Sequence, residues 1–423
     1  MSVLFLPTKF YIPRLREKRV LRPRLTDILQ AGVNRPATVI LLSGPAGFGK
    51  STLLGEFVTQ LQQPVAWVSL DEGDNDPVRF WSYLIASCQS VRPGIGESAQ
   101  ELLKSPLPSP NDAVPSILIN DFNRMESELV LVLDDFHTIQ NELVTKAFSF
   151  LLDHLPDKLH IVLSTRIDPP WPLARFRAHN QLIEIRERDL RFTADEAASF
   201  LNQVMELNLS LEEVAALAIR TEGWIAGLQL AALSLQGRQD AGSFIQQFTG
   251  SNTYIIDYLL EEVLQRQPEP VQTFLQQSSL LQRLCGSLCN AVTGRSDGQA
   301  VLEQLQRTNL FLIALDDERR WYRYHHLFAE VLHSRLAHTQ PEQVTTLHRR
   351  ACDWYESAGL LDEAMHHALA ANDLERAATL IEEHNIALLL RSQVTVVTGW
   401  LQPLPVALIE SRPLLALAAA WVY

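Results

Sequence analysis

Residues 44–51 read Gly-Pro-Ala-Gly-Phe-Gly-Lys-Ser, and the apolar run 37–42 leads into them. The spacing G-x-x-x-x-G-K-S is that of a phosphate-binding P-loop. Gly44, Gly47 and Gly49 allow backbone N–H groups to point inward at close range. A helix expected from Lys50 onward would put its positive dipole end under the phosphates. Lys50 is the expected charge partner of the β- and γ-phosphates, and the Ser51 hydroxyl an expected Mg²⁺ ligand. Phe48 and Thr52 complete the expected contact set. Leu53, Leu54, Phe57, Val58 and Leu61 give that helix an apolar face. Together these residues imply a nucleotide site.

Further along, the apolar run Leu129-Val-Leu-Val-Leu133 ends in Asp134-Asp135. A buried strand ending in acids, well downstream of a P-loop, is a Walker B element. Asp134 is expected to hold Mg²⁺ through water, and Asp135 to orient or activate the attacking water. Many motor ATPases end this strand in Asp-Glu. The shorter second acid weakens water positioning, which predicts slow hydrolysis. The run Ile161-Val-Leu-Ser-Thr-Arg166 is another buried strand ending in polar residues. Its tip belongs beside the Walker B tip, where Arg166 could reach a γ-phosphate or, alternatively, form a surface salt bridge. The loop Asp71-Glu-Gly-Asp-Asn-Asp76 lacks the glutamate of a calcium loop and reads as a structural loop near the phosphates or, alternatively, as one that aids the attacking water. His137 could touch the site or cap the turn, and the structural role is favoured. His325 and His326 have no cysteine or third histidine nearby, so spacing alone makes packing the simpler role.

The elements that must position these residues alternate. Short apolar runs at 37–42, 64–70, 129–133, 159–164 and 182–185 suit strands buried on both faces of a parallel sheet flanked by helices. Pro106–Pro115 is a Pro/Ser-rich connection. After about residue 190 helical patterns take over, opened by the capping box Thr193-Ala-Asp-Glu196. Helices followed by the hairpin pattern 311–315 and 321–324 suggest a winged-helix domain. From residue 343 helical hairpins follow, of the kind that stacks into a solenoid. The expected domains are a lead at 1–35, a P-loop NTPase domain at 36–190, a helical domain at 191–250, a winged-helix domain at 251–340 and a helical repeat at 341–423. The last apolar run, Ala418 to Tyr423, has no cap or polar terminal repeat and reads as a truncated fragment of a longer protein.

Composition narrows the classes. The net charge of −13 makes a poor general binder of nucleic acid, since phosphate contacts need a positive face. No stretch of eighteen uncharged apolar residues exists, which argues against a membrane partner. The N-terminus lacks the order of a secretory signal. Four cysteines in 423 residues are too sparse for a disulfide framework. A cytoplasmic protein with reduced thiols is expected.

Taken together, the motifs resemble the MalT-type, LuxR-family transcriptional activators, which are signal-transduction ATPases with numerous domains. Beyond the P-loop, the resemblance rests on Trp67–Asp71, Asp74–Phe80, Leu133–His137, Gly223-Trp-Ile-Ala-Gly-Leu-Gln229, Asp257–Val263, Tyr322–Phe328 and Glu363–Ala370. It covers nearly the whole chain. It implies an α/β P-loop domain followed by helical, winged-helix and tetratricopeptide-like α-solenoid domains. A DNA-binding helix-turn-helix would lie beyond residue 423. In such proteins ADP holds a closed monomer; ATP plus a small-molecule or protein inducer, bound by the helical repeat, opens it and drives self-association. Slow hydrolysis resets the switch. The resemblance further implies that Arg166 is the sensor, that His325 clamps the ADP form, and that the lead around Val20 and Arg22 lines the adenine.

A competing reading is a metabolic or motor P-loop NTPase. No Asn-Lys-x-Asp motif for guanine occurs. A small-molecule kinase needs an arginine-rich lid, which Arg175, Arg177, Arg186, Arg188 and Arg191 could supply, but the helical hairpins are then excess parts. A third possibility is a nucleotide-binding scaffold without hydrolysis.

Overall fold

The computed structural model describes residues 6–13, 15, 17–104, 112–236, 241–248, 252–390 and 394–422. Residues 1–5, 14 and 16 of the lead, 106–111 of the Pro/Ser-rich connection, and Tyr423 lie outside the described residues.

Five short strands form one parallel sheet: β1 (Val39–Ser43), β2 (Val65–Ser69), β3 (Leu129–Asp134), β4 (Leu159–Thr165) and β5 (Leu182–Arg186), in the spatial order β2-β3-β4-β1-β5. The three central strands are buried at every position, whereas the two edge strands are partly exposed. That is why the sequence shows continuous apolar runs rather than alternation. Strand β4 lies between the P-loop strand and the Walker B strand, pairing Leu41 with Leu163 on one side and Leu131 with Ile161 on the other. All three strands run the same way, so their carboxyl ends, with the P-loop, Arg166 and the two aspartates, share one edge.

Three helices matter for the site's frame: α1 (Pro23–Val33), α2 (Lys50–Gln60) and α3 (Pro77–Val91). An aromatic cluster anchors the Walker B turn. Phe136, directly after the two aspartates, lies 5.1 Å from Trp171 and 5.5 Å from Phe148, ring centroid to centroid. Trp171 in turn donates its indole N–H to Thr145 O at 3.1 Å. A fully desolvated ring in this position is worth about 2–3 kcal/mol, so the turn is held from its core side.

The chain divides into two compact units, Met1–Phe248 with Arg307–Leu310, and Thr249–Gln306 with Phe311–Tyr423. The sheet and its helices belong to the first. In the second, helices at Glu269–Ser278, Gly286–Thr293 and Gly298–Arg307 precede an antiparallel hairpin of β6 (Leu312–Ala314) and β7 (Tyr322–Tyr324). A bridge from Leu284 to Tyr322 adds a third partner to this winged-helix sheet. Helices at His326–Thr339, Pro341–Ser357, Leu361–Ala370 and Leu374–Leu390 follow. Among the described residues no helix is long and apolar enough to cross a membrane.

Two histidines tie the second unit's helices together. His348 Nδ1 and His367 Nδ1 share a buried hydrogen bond of 2.8 Å, and the Tyr355 ring stacks on His367. One ring must donate and the other accept, so the contact requires neutral imidazole. Burial, with like charge from His333 and His366, lowers His348 to about 4; burial and then His348 and His366 lower His367 to about 3. The unfolded chain therefore binds more protons between pH 6.5 and 4, and stability falls as pH falls through that window. Each histidine titrated opposes folding by ~3 kcal/mol. Denaturant titrations at pH 7 and pH 4.5 should show this loss, and it should shrink in His367→Leu. A loss of the same size in that variant would contradict the assignment.

Candidate nucleotide site

The P-loop leaves β1 at Gly44 and enters α2 at Lys50. Gly47 (φ 77°) and Gly49 (φ 74°) take the left-handed conformation that the sequence assigned to glycine. A loop whose N–H groups face an anion turns its carbonyls the other way, and each needs a donor. All four carbonyls of residues 44–47 have one. Lys50 Nζ donates to Gly44 O at 2.6 Å and to Pro45 O at 2.8 Å. The indole N–H of Trp224 donates to Ala46 O at 3.0 Å, and the Ala226 amide to Gly47 O at 3.0 Å. Trp224 is fully buried. The Gly223–Gln229 segment, a resemblance motif in the sequence, thus grips the P-loop from behind. Losing the Trp224 bond would leave the Ala46 carbonyl unpaired at a cost of about 1–3 kcal/mol, more than the ~1 kcal/mol that the bond itself contributes.

Lys50 is buried, and its ammonium is lowered to about 8 by desolvation first and by the charge of Arg166 second, partly offset by Asp135 and Asp134. Two cations thus converge at the loop, an arrangement that an anion relieves.

Asp134 is only 4% exposed. It accepts from Ser51 Oγ at 3.1 Å and from the Asp135 amide at 3.2 Å. Burial and the Asp135 charge hold its carboxyl above the usual range, against the Ser51 hydrogen bond and the charge of Lys50. A hydroxyl and a carboxylate side by side are hard oxygen donors, which fits Mg²⁺. Asp135 adopts φ 59°, which aspartate tolerates, and its side chain is 45% exposed, 3.7 Å from His137 Nδ1. Burial therefore separates the two acids into one packed against Ser51 and one free to meet solvent.

The turn that carries them is braced by the Asp71–Asp76 loop. Asn75 donates to Thr138 O at 2.8 Å and accepts from the amides of Gln140 and Asn141 at 2.7 and 2.9 Å. The buried Asp74 is ion-paired to Lys9 and, at 3.0 Å, to Arg79. This loop is structural support for the Walker B turn.

Arg166 begins the segment after β4, and its backbone carbonyl accepts from Asn309 Nδ2 at 2.9 Å. Asn309 also donates to Ser43 Oγ at 3.0 Å, and the Asp168 amide donates to Arg307 O at 3.2 Å. Residues 307–310 thus pack onto the ends of β1 and β4, although the chain on either side belongs to the second unit. Nothing in the sequence flagged Asn309 beyond its tolerance for the left-handed φ of 48° it adopts.

Beside the loop lies a cavity of about 220 Å³, lined by Val20, Gly49, Thr52, Phe192, Phe200 and Ile225 among others. Arg22 also borders it, and its Nη2 donates to Leu190 O at 2.7 Å and Arg191 O at 3.1 Å. Arg24 adds a two-pronged bond to Glu196, 2.9 Å each. These arginines fasten the lead to the end of the sheet domain. His325 belongs to the second unit, where it is buried edge-to-face on Phe311 at the start of helix His326–Thr339.

The arginines that could form a kinase lid are ion-paired within the protein: Arg175 to Asp153, Arg177 to Glu184, Arg186 to Asp168 and Glu184, Arg188 to Asp189, and Arg191 to Glu187 and Glu222. A lid would have to break these pairs.

Residues 16–164 match the AAA ATPase domain family, and residues 260–344 match the MalT winged helix domain family. The chain is 38% identical over 405 residues to the serine/threonine-protein kinase PknK of Mycobacterium tuberculosis, which covers 95% of this chain and 36% of that protein. It is 32% identical over 421 residues to the HTH-type transcriptional regulator MalT of Yersinia enterocolitica, covering 99% of this chain and 46% of that one. The chain thus spans less than half the length of these relatives. Among solved structures, the Walker-type ATPase of Pyrococcus abyssi shares the fold, with a TM-score of 0.51 at 19% identity over 75% of this chain and 97% of that one.

The lowered Lys50 gives a pH test. Phosphate binding needs its charged form. Nucleotide affinity should be flat from pH 6.5 to 7.5 and then fall by up to about tenfold per pH unit above 8. Titrations with a fluorescent ADP analogue measure this, and an affinity still flat at pH 9.5 would contradict it.

Proposed function

We propose that this chain, which shares the ATPase and winged-helix core of the MalT-type regulators, is a nucleotide-controlled switch that hydrolyses ATP slowly. The observation that carries the reading is the hold on the P-loop carbonyls by Trp224 and Ala226. Any shift of the loop on exchanging ADP for ATP must move, or break, two hydrogen bonds to the helical segment. The phosphate site and the helices beyond the sheet are then one mechanical unit.

Each site residue has a task in this scheme. Lys50 neutralises the β- and γ-phosphates, and the P-loop amides and the α2 dipole orient them. Ser51 and Asp134 hold Mg²⁺, which when bound offsets phosphate charge. Asp135, the exposed acid, orients the attacking water and accepts its proton. Its short side chain keeps turnover low, so the bound nucleotide persists long enough to act as a signal. Arg166 senses the γ-phosphate. Its backbone is held by Asn309, which links that sensing to the segment leading into the winged helix. His325 favours the ADP form.

The two relatives named above carry different activities in their names, a kinase and a DNA-binding regulator, yet align with the same stretch. What they have in common with this chain is the switch, not the effector. An inducer bound by the helical repeat, self-association in the ATP state, and DNA binding by a further helix-turn-helix domain follow the MalT likeness.

Two substitutions test the assignment. Lys50→Ala should weaken ATP binding by about 100-fold through the lost charge partner. Asp135→Asn should bind ATP within about threefold of wild type yet turn over at least tenfold more slowly. Calorimetric titration and phosphate release read the two effects. Unchanged affinity in the first, or unchanged turnover in the second, would remove that residue from its role.

A further inference from the structure

The second unit holds a cleft of about 630 Å³, lined by the wing hairpin and by helices Gly286–Thr293, Gly298–Arg307 and Pro341–Ser357. Two tryptophans wall it. Trp321 leads into β7, and Trp354 lies on helix Pro341–Ser357. Their rings meet edge to face at 76°, with centroids 6.4 Å apart, and both are only half-buried. A tryptophan shielded from water normally finds an acceptor for its indole N–H. Trp67, Trp171, Trp224 and Trp400 each have one. Among the described residues, Trp321 and Trp354 have none.

The polar groups around them are unbalanced. The acceptors have donors: Asn290 Oδ1 takes the Gly298 amide at 2.7 Å, Glu303 takes Gln299 Nε2 at 3.1 Å, and Glu318 is ion-paired with Arg320 at 2.9 Å. The two indoles and the Asn290 amide nitrogen are donors left over among the described residues. A fitting ligand is rich in acceptors, poor in donors and apolar enough to lie on the rings. An anion would meet Glu303 and Glu318 in the same wall, and like charge opposes it. An ordinary extended peptide brings one N–H for each carbonyl, whereas proline brings the carbonyl alone. Polyproline II rises about 3.1 Å per residue, so two residues span about 6.2 Å. The two rings lie 6.4 Å apart, so prolines two positions apart would each meet one.

We propose that this cleft docks a proline-rich segment of a partner protein in the polyproline II conformation. The indoles donate to its carbonyls while its prolines lie against their rings, the mode by which aromatic-lined grooves take such segments. Little ordering is needed, because proline-rich chains hold this conformation when free. Trp321 belongs to the wing hairpin and Trp354 to a helix beyond it. A docked segment therefore ties the winged-helix sheet to the helices that follow. The proposal is independent of the nucleotide reading.

Fluorescence anisotropy of labelled decaproline on the whole nucleotide-free chain tests this, with a glycine–serine decapeptide as control and unfolding midpoints alongside. Decaproline should bind with a dissociation constant of about 100 µM, and the control about tenfold more weakly or worse. Trp354→Phe keeps an aromatic ring and removes one donor. It should weaken decaproline about fivefold at an unchanged midpoint. Folded wild type that ignores decaproline, or takes the control equally well, overturns the proposal. So does Trp354→Phe with unchanged affinity, or with a lowered midpoint as its only effect, which makes the tryptophan a structural contact. Should that variant fail to fold, Ser287→Arg puts a long side chain into the cleft from an exposed position. It should weaken decaproline about tenfold or more; unchanged affinity overturns the proposal. A peptide-free chain that self-associates, and loses the association in Trp354→Phe, has a second copy as the occupant, which also overturns it.

Discussion

A loop that presents its amides to an anion must send its carbonyls backward, and in a buried setting each carbonyl needs a donor. The arrangement of this protein follows from how that need is met. Lys50 covers Gly44 and Pro45 from within the loop's own helix, while Trp224 and Ala226 cover Ala46 and Gly47 from a helix more than 170 residues away. The second pair makes the helical segment part of the phosphate site. It also explains the tight backbone there: a Cβ on Gly227 would meet the Trp224 ring at 2.6 Å, and one on Gly223 would meet Phe192 O at 2.7 Å. Glycine at both positions lets the indole reach the loop.

Charge is arranged around the same point. The charge of Arg166 reaches Lys50, with Asp134 and Asp135 as partial compensation. The parallel sheet forces this meeting, because β4 inserts its end between the P-loop strand and the acid-bearing strand. Burial then divides the labour between two adjacent aspartates. One is held by Ser51 and the core; the other stands in the left-handed turn, open to solvent. Phe136 fixes that turn from the core side, and Asn75 fixes it from the outside.

Much of this was legible in the sequence, for physical reasons. Central strands of a parallel sheet are apolar on both faces, so 37–42, 129–133 and 159–164 announced themselves as runs. Glycines at left-handed positions and a lysine at fixed spacing named the P-loop. The Thr193–Glu196 capping box formed as read, with both reciprocal bonds. What could not be read was long-range. Trp224 looks like any buried aromatic until its indole is seen on Ala46 O. Glu56 lies in a helix whose residues 53–58 are all buried, and a helical face pattern assigns such an acid to solvent. Arg22 was expected beside the adenine; it borders the cavity, but spacing could not show its guanidinium turning to the carbonyls of 190 and 191. Asn309 is contiguous with the second unit in sequence and packed with the first in space, which no local pattern encodes.

The central claim is that the nucleotide state reaches the helical segment through the P-loop carbonyls. Hydrogen–deuterium exchange on the purified chain, with ADP and with a non-hydrolysable ATP analogue, tests it most directly. Exchange at residues 223–235 should differ between the two nucleotides, and the difference should shrink in Trp224→Phe, which keeps the ring and removes one of the two donors. Identical exchange in both nucleotide states, at 44–51 and at 223–235 alike, would contradict the account.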